Sequence, residues 1–144
     1  MHKLGLIPSP RQEDVIKRSL DKLVKNGLLE WKHSRLTLTP KGEKNLRNLS
    51  LRDFSRAIPR KWDKRWRVLI FDIPEKRRKL REQLRAVLIR IGFVRLQDSV
   101  WIFPYDCEDI IQLIKADFHV GYDVLYMIVD TLEGESRLKK KFNL

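Results

Sequence analysis

The 144-residue sequence predicts an α+β chain with two structured parts. The first fifty residues contain two helix patterns around a short hairpin, and residues 65–132 follow the order β-α-β-β-α-β. Between these parts, residues 51–64 are mostly polar and contain one proline, so we expect a linker there. Residues 133–144 carry a run of lysines, and we expect them to form a basic C-terminal tail.

The first helix is predicted from its start signal and its apolar spacing. Ser9 is a favourable N-cap, Pro10 suits the first helical position, and Gly27 supplies the stop. Apolar side chains recur at helical spacing and share one broad face: Val15, Ile16, Leu20, Leu23 and Val24. We therefore expect an amphipathic helix that buries this face.

A hairpin and a second helix follow. Residues 28–31 and 35–38 form two short strands around a polar turn, and Thr39-Pro40 starts a helix that runs to about Leu49. The sequence LDKLVKNGLLEWKHSRLTLTPKG resembles the winged-helix family, in which the helix before the hairpin enters the major groove and the hairpin touches the backbone. Only nine residues precede the first helix, so we expect a partial winged helix, either a truncated form or a reduced module. The resemblance implies DNA contacts from Arg11, Lys17, Arg18, Lys22, Lys32, His33 and Arg35. The alternative is a basic helical hairpin that only packs on the second part.

The second part is predicted to be ferredoxin-like. Residues 66–73 form a nearly continuous apolar strand, residues 75–91 a helix ended by Gly92, and residues 93–103 two strands hinged near Asp98-Ser99. A second helix opens at Asp106 or Cys107, and residues 122–130 form the last strand. This order is the ferredoxin-like split pattern.

The strands of this sheet are apolar on both faces. In the first strand Trp66, Val68 and Ile70 point to one face, and the residues between them to the other. Because two helices cover only one face of a four-stranded sheet, we expect a second copy of the chain to cover the open face. The sequence therefore predicts a homodimer packed sheet to sheet.

Two motifs carry a more specific resemblance. FDIPE, from Phe71 to Glu75, and SVWIFPY, from Ser99 to Tyr105, resemble the central domain of PaaX-type transcriptional repressors, which attach a winged helix ahead of a ferredoxin-like domain. The same region is similar to the small CRISPR-associated endonucleases that partner the integrase in spacer acquisition. The resemblance to the PaaX-type repressors covers about residues 15–144 and implies a DNA-binding homodimeric regulator. The resemblance to the endonucleases implies, as the alternative, a metal-dependent nuclease or a CRISPR adaptation subunit.

Composition and charge favour nucleic acid as the partner. The formal net charge is +12, and it is uneven: residues 1–60 carry +8, residues 61–98 carry +7 and residues 99–144 carry −3. An excess of this size favours a polyanion such as double-stranded DNA. The single cysteine excludes an intrachain disulfide and fits a reducing, cytoplasmic setting, and no apolar run reaches the roughly 20 residues of a membrane span.

Two further features are candidate sites. Arg78, Arg81 and Arg85 recur on one side of the helix and are expected to track a phosphate backbone, or else to form a solvated face paired with glutamates. Asp72 matches the aspartate that the nuclease resemblance implicates in catalysis and in binding Mg²⁺ or Mn²⁺, one from each subunit. Its alternative role is to cap the following helix. We expect a regulator without enzymatic activity, with a divalent-metal-dependent endonuclease as the alternative.

Overall fold

The computed structural model describes residues 10–52, 54–121 and 123–144, and within them the side chains of residues 10–14, 51, 52, 54 and 55 are not described. An N-terminal module (residues 10–52) contains α1, two paired strands and α2: α1 Pro10–Lys25, β1 Leu29–Lys32, β2 Arg35–Leu38 and α2 Pro40–Arg52. Thr39 caps α2, since its hydroxyl accepts a hydrogen bond from the Gly42 amide at 3.0 Å. Ser9, the expected N-cap of α1, lies outside the described residues.

The second part confirms the ferredoxin-like order. Its elements are β3 Trp66–Phe71, α3 Arg78–Ile91, β4 Val94–Gln97, β5 Val100–Phe103, α4 Glu108–Phe118 and β6 Val124–Val129. The four strands form one antiparallel sheet in the order β4-β5-β3-β6. Gly92 ends α3 with a φ of 118°, a left-handed conformation that glycine adopts without strain.

Helix α4 lies between the sheet and the N-terminal module. Seven of its eleven residues are buried, including Ile111, Leu113 and Ile114, and it contacts α1, α2 and β2. Leu23 of α1 and Leu29 of β1 share one apolar core with the helix-covered face of the sheet. The N-terminal module is therefore packed against the ferredoxin-like part through α4.

The other face of the sheet, which we call the second face, is partly covered by the chain itself. Residues 133–144 were expected to be a basic tail, but they contain helix α5 Glu135–Lys141. Leu138 of α5 is buried in a cluster with Trp66, Val68 and Ile102, and Trp62 packs on Trp66 with ring centroids 5.1 Å apart. The expectation that a second copy covers this face is therefore wrong for the region around Trp66.

One part of the second face stays uncovered by the described residues. Leu125 is 49% exposed, and the strand register places it opposite Ile70, which in turn lies opposite Val100. Ile70 and Val100 are half-buried, so the three form an accessible apolar row across β6, β3 and β5. A sheet-to-sheet contact is limited to this end of the face.

The expected linker is anchored to both parts. It contains a short 3₁₀ helix, Phe54–Ala57, and Ile58 is 4% exposed within the main core. Asp63 and Trp62 contact residues of β3. In the part of the chain that the structure describes, no helix is long and apolar enough to span a membrane.

Candidate nucleic-acid interface

Helix α1 buries one face and exposes a basic one. Leu23 and Ser19 are buried, whereas Lys17, Arg18 and Lys25 are exposed. None of these three cations makes a hydrogen bond or an ion pair within the described residues. Arg11 lies in the first turn of α1, and its side chain is outside the described part of the chain.

Lys22, also expected to contact DNA, is held by an acid of α4. Its ammonium lies 2.5 Å from Asp109, and this hydrogen bond raises the pKa of Lys22. Ser19 donates a second hydrogen bond to the same carboxylate, at 2.6 Å. Asp109 therefore ties two positions of α1 to the start of α4.

A small cleft of about 230 Å³ opens beside this contact. Arg18 and Lys22 line it from α1, and Asp106, Glu108 and Asp109 line it from the start of α4. Charges of opposite sign thus meet where the N-terminal module joins the ferredoxin-like part. The cleft is a joint between the two parts in which cations of α1 face acids.

Behind the cleft lies a buried polar network centred on Arg67, which is 3% exposed. Its guanidinium donates two hydrogen bonds to Asp63, at 2.7 and 2.8 Å, and a third to the Pro104 carbonyl at 3.0 Å. Glu108 lies 3.5 Å from Arg67 and accepts hydrogen bonds from the Tyr126 hydroxyl and from a backbone amide. The network joins the start of β3 to the start of α4, and so fixes the end of α4 that receives α1.

Burial dominates the acid–base chemistry of this network. It raises the pKa of Glu108 to about 7 and the pKa of Cys107 far above its ordinary value. Burial also opposes the charge of Arg67, but the hydrogen bond to Asp63 holds the pKa of Arg67 above its ordinary value. Glu108 therefore changes its protonation near neutral pH while its arginine neighbour stays charged.

The hairpin β1–β2, which we call the wing (residues 29–38), carries the other expected contacts. Lys32, His33 and Arg35 are all exposed. Lys32 is 3.3 Å from Glu30, whereas Arg35 makes no ion pair within the described residues. The structure thus presents the expected basic side chains at the tip of the wing.

The three predicted phosphate-binding arginines of α3 are paired with glutamates. Arg81 lies 3.0 Å from Glu75 and Arg85 lies 2.9 Å from Glu82, and both arginines are largely covered. Arg78 is more exposed and lies 4.0 Å from Glu75. This is the pairing expected of a solvated helix face, whereas Lys17, Arg18, Lys25 and Arg35 have no such carboxylate partner among the described residues.

Asp72 is exposed and directly follows β3. The Asp72 backbone amide donates a hydrogen bond to the Asp123 backbone carbonyl at 3.0 Å, so the two aspartates lie side by side. The Asp123 carboxylate, however, is paired with Arg77 at 3.1 Å. Neither the Glu75–Arg77 3₁₀ helix nor α3 has a side-chain cap, so Asp72 does not cap them. Among the described residues no three carboxylate, histidine or cysteine side chains could hold a metal ion, so the donor set of one chain does not fit Mg²⁺ or Mn²⁺.

Three features of this region were not predicted from the sequence. Arg67 is a charged residue inside an apolar strand, and that exception to the pattern was the available signal. Asp109 had no signal, because its contact with α1 joins residues ninety positions apart. Trp31 was expected within a strand, and its exposure at the wing depends on how the hairpin packs.

Comparison with known proteins identifies the family. The model described as the PaaX protein central Cas2-like domain matches residues 59–140. The chain belongs to the PaaX family. The matched range includes both parts that cover the second face of the sheet, Trp62 and most of α5.

A solved structure is also similar to the chain. It is the uncharacterized protein Rv0674 from Mycobacterium tuberculosis, at 19% sequence identity and a TM-score of 0.46. The match covers 90% of this chain and 52% of that one, so this PaaX-family chain spans about half the length of Rv0674. No curated protein matches the chain.

Proposed function

We propose that the chain is a DNA-binding homodimeric regulator of the PaaX type. The observation that carries the proposal is the separation of paired from unpaired cations. On α3, Arg78, Arg81 and Arg85 are paired with acids, while Lys17, Arg18, Lys25 and Arg35 are exposed and unpaired within the described residues. Membership of the PaaX family supports a regulator of this type, and the partial winged-helix arrangement of residues 10–52 supports the surface formed by α1 and the wing.

The physical basis of binding is the release of counterions from DNA. A cation that already has an intramolecular carboxylate partner gains little by meeting a phosphate, because that partner must first be displaced. An unpaired, exposed cation has no such penalty. We therefore expect α1 and the wing to dominate phosphate contacts, with smaller contributions from Lys22 and from Arg78, Arg81 and Arg85.

We further propose that a second copy covers the apolar row of Leu125, Ile70 and Val100. The row crosses three strands and is flanked by helix α5. Such a patch suits a two-fold symmetric contact, in which the same residues of both copies pack against each other. The expected result is a dimer at micromolar concentration by light scattering, which Leu125→Glu converts to a monomer. A wild-type monomer under these conditions would refute the dimer.

The DNA contact is tested by removing unpaired charges. The variant Lys17→Gln/Arg35→Gln should bind a labelled duplex more weakly than wild type does. The slope of log affinity against log salt should become shallower by about 0.9 for each phosphate that the variant no longer binds. Fluorescence anisotropy of the duplex at several salt concentrations measures both quantities.

A matched control removes the same charge elsewhere. Lys140→Gln/Lys141→Gln takes two exposed cations from α5 and should change neither the affinity nor the slope by a comparable amount. If the two double variants weaken binding equally, the interaction depends only on net charge, and α1 and the wing are not its surface.

A further inference from the structure

Trp31 is the most exposed large apolar side chain in the described part of the chain, at 65%. The other three tryptophans are packed: Trp66 is 0% and Trp101 is 3% exposed, and Trp62 lies against Trp66. An indole buries a large apolar area when it finds a partner surface, and aromatic residues are enriched at contact sites for that reason. The position of Trp31 on the wing therefore indicates a contact that the isolated chain does not make.

The wing holds this side chain close to a short turn. His33 and Ser34 both adopt left-handed backbone conformations, with φ of 49° and 64°, which is the pattern of a tight two-residue turn. Trp31 lies opposite Leu36, next to the pair that closes the turn. A tight hairpin limits how far the indole can move, so the ring is presented at the tip instead of folding back on the module.

The charges around Trp31 select the kind of partner. Lys32 lies directly opposite Arg35 in the register, and like charges in that arrangement destabilise a hairpin. Of these two cations, Lys32 alone has a carboxylate neighbour among the described residues, Glu30 at 3.3 Å. A partner that supplies negative charge relieves this repulsion, whereas a neutral or basic partner does not.

Strand geometry places the ring and the cations on opposite faces of the wing. Side chains alternate along a strand, so Trp31 and Leu36 share one face while Lys32 and Arg35 share the other. A duplex groove offers both surfaces together, since phosphates line its walls and the apolar faces of sugars and base steps line its floor.

We propose that Trp31 is an apolar contact residue for duplex DNA, seated in a groove while Arg35 and Lys32 bind the flanking phosphates. The proposal rests on the proposed function and adds a contact that net charge does not explain. It assigns to the wing an interaction that persists at high salt, because apolar burial is not weakened by counterions.

Fluorescence quenching tests the contact directly. Acrylamide should quench Trp31 strongly in the free protein, and a bound duplex should reduce that quenching. The Trp31→Phe variant reports only Trp62, Trp66 and Trp101, and its quenching should be unchanged by duplex. Wild-type quenching that is unchanged at saturating duplex would overturn the proposal, and so would protection of Trp31 by protein concentration alone, which indicates a protein contact.

Affinity measurements separate this proposal from the proposed function. Trp31→Ala should lower duplex affinity about 10-fold, a reduction typical of one aromatic contact, and leave the salt slope unchanged, while Trp31→Phe retains most of the affinity. Leu96→Ala, which truncates an apolar side chain that is 41% exposed on β4, is the matched control and should bind as wild type does. If Trp31→Ala binds duplex with full affinity and the usual salt dependence, only the Trp31 contact is refuted. If the wild type does not bind duplex at low salt, the proposed function is refuted.

Discussion

Asp109 links the N-terminal module to α4, and its replacement by asparagine tests how that link affects DNA binding. The carboxylate accepts a hydrogen bond from buried Ser19 at 2.6 Å and pairs with Lys22 at 2.5 Å. Asparagine keeps the shape and one acceptor oxygen but removes the charge. We therefore expect Asp109→Asn to keep the fold, weaken the joint and release Lys22.

The cost in stability follows from these two contacts. The Lys22 pair is about half exposed, so its removal costs only about 0.2–1 kcal/mol. The bond from Ser19 changes from charge-assisted to neutral, which costs about 1 kcal/mol more. We expect the free energy of unfolding to fall by about 1–2 kcal/mol, and the melting temperature to fall by roughly 3–8 °C.

The gain in DNA affinity comes from the loss of the negative charge that lies beside Lys22. One unit of negative charge beside the binding surface opposes a phosphate by about 1 kcal/mol at contact distance in water, so we expect affinity to rise about 5-fold. If Lys22 then contacts a phosphate, the salt slope should steepen by about 0.9.

Duplex titration by fluorescence anisotropy, with thermal melting on the same samples, measures these effects. The double variant Asp109→Asn/Lys22→Gln is the control, and it should lose the gain in affinity. An affinity that falls in Asp109→Asn although the protein stays folded would refute the reasoning, because it would mean that the link positions α1 for DNA and does not hold Lys22 away from it.

Three further predictions follow from burial and exposure. Because burial raises the pKa of Glu108 to about 7, the native state keeps a proton that the unfolded state loses near pH 4.5. The free energy of unfolding of the wild type should therefore fall by up to about 3 kcal/mol as the pH rises from 4.5 to 7. Denaturant titrations of Glu108→Gln should show no such fall, and equal pH profiles for variant and wild type would contradict the prediction. Leu138→Ala should lower the free energy of unfolding in urea by about 2–4 kcal/mol, because Leu138 is only 7% exposed. The control Leu144→Ala should lower it little, because Leu144 is 39% exposed. Equal losses in the two variants would mean that α5 does not cover the sheet. Asp72→Ala should leave duplex affinity unchanged, and a Mg²⁺-dependent cleavage activity that this variant abolished would favour the nuclease alternative.

The order of the ferredoxin-like elements was predictable because each element has a local signal. The apolar run of β3, the helical spacing before Gly92 and the apolar run of β6 are all read within a few residues. The proline-based start of α2 is equally local, and that helix begins at Pro40 as predicted. Such signals fix the type and order of elements without any knowledge of tertiary contacts.

The packing of α5 and the partners of Arg67 in the polar network had no comparable signal. In α5 only Leu138 is apolar among the lysines, and Phe142 directly follows the helix. Both pack near Trp66, which comes from a distant strand. Arg67 is buried because Asp63 and Glu108 converge on it from two other segments. Features of this kind arise from tertiary packing, and a single sequence does not show which distant partners meet.

The affinity of the wild-type chain for a duplex as a function of salt tests the central claim most directly. With four exposed and unpaired cations on α1 and the wing, we expect log affinity to fall linearly with log salt, with a slope of about −4 for each chain. An affinity that does not change between low and physiological salt would contradict the claim that this surface binds nucleic acid.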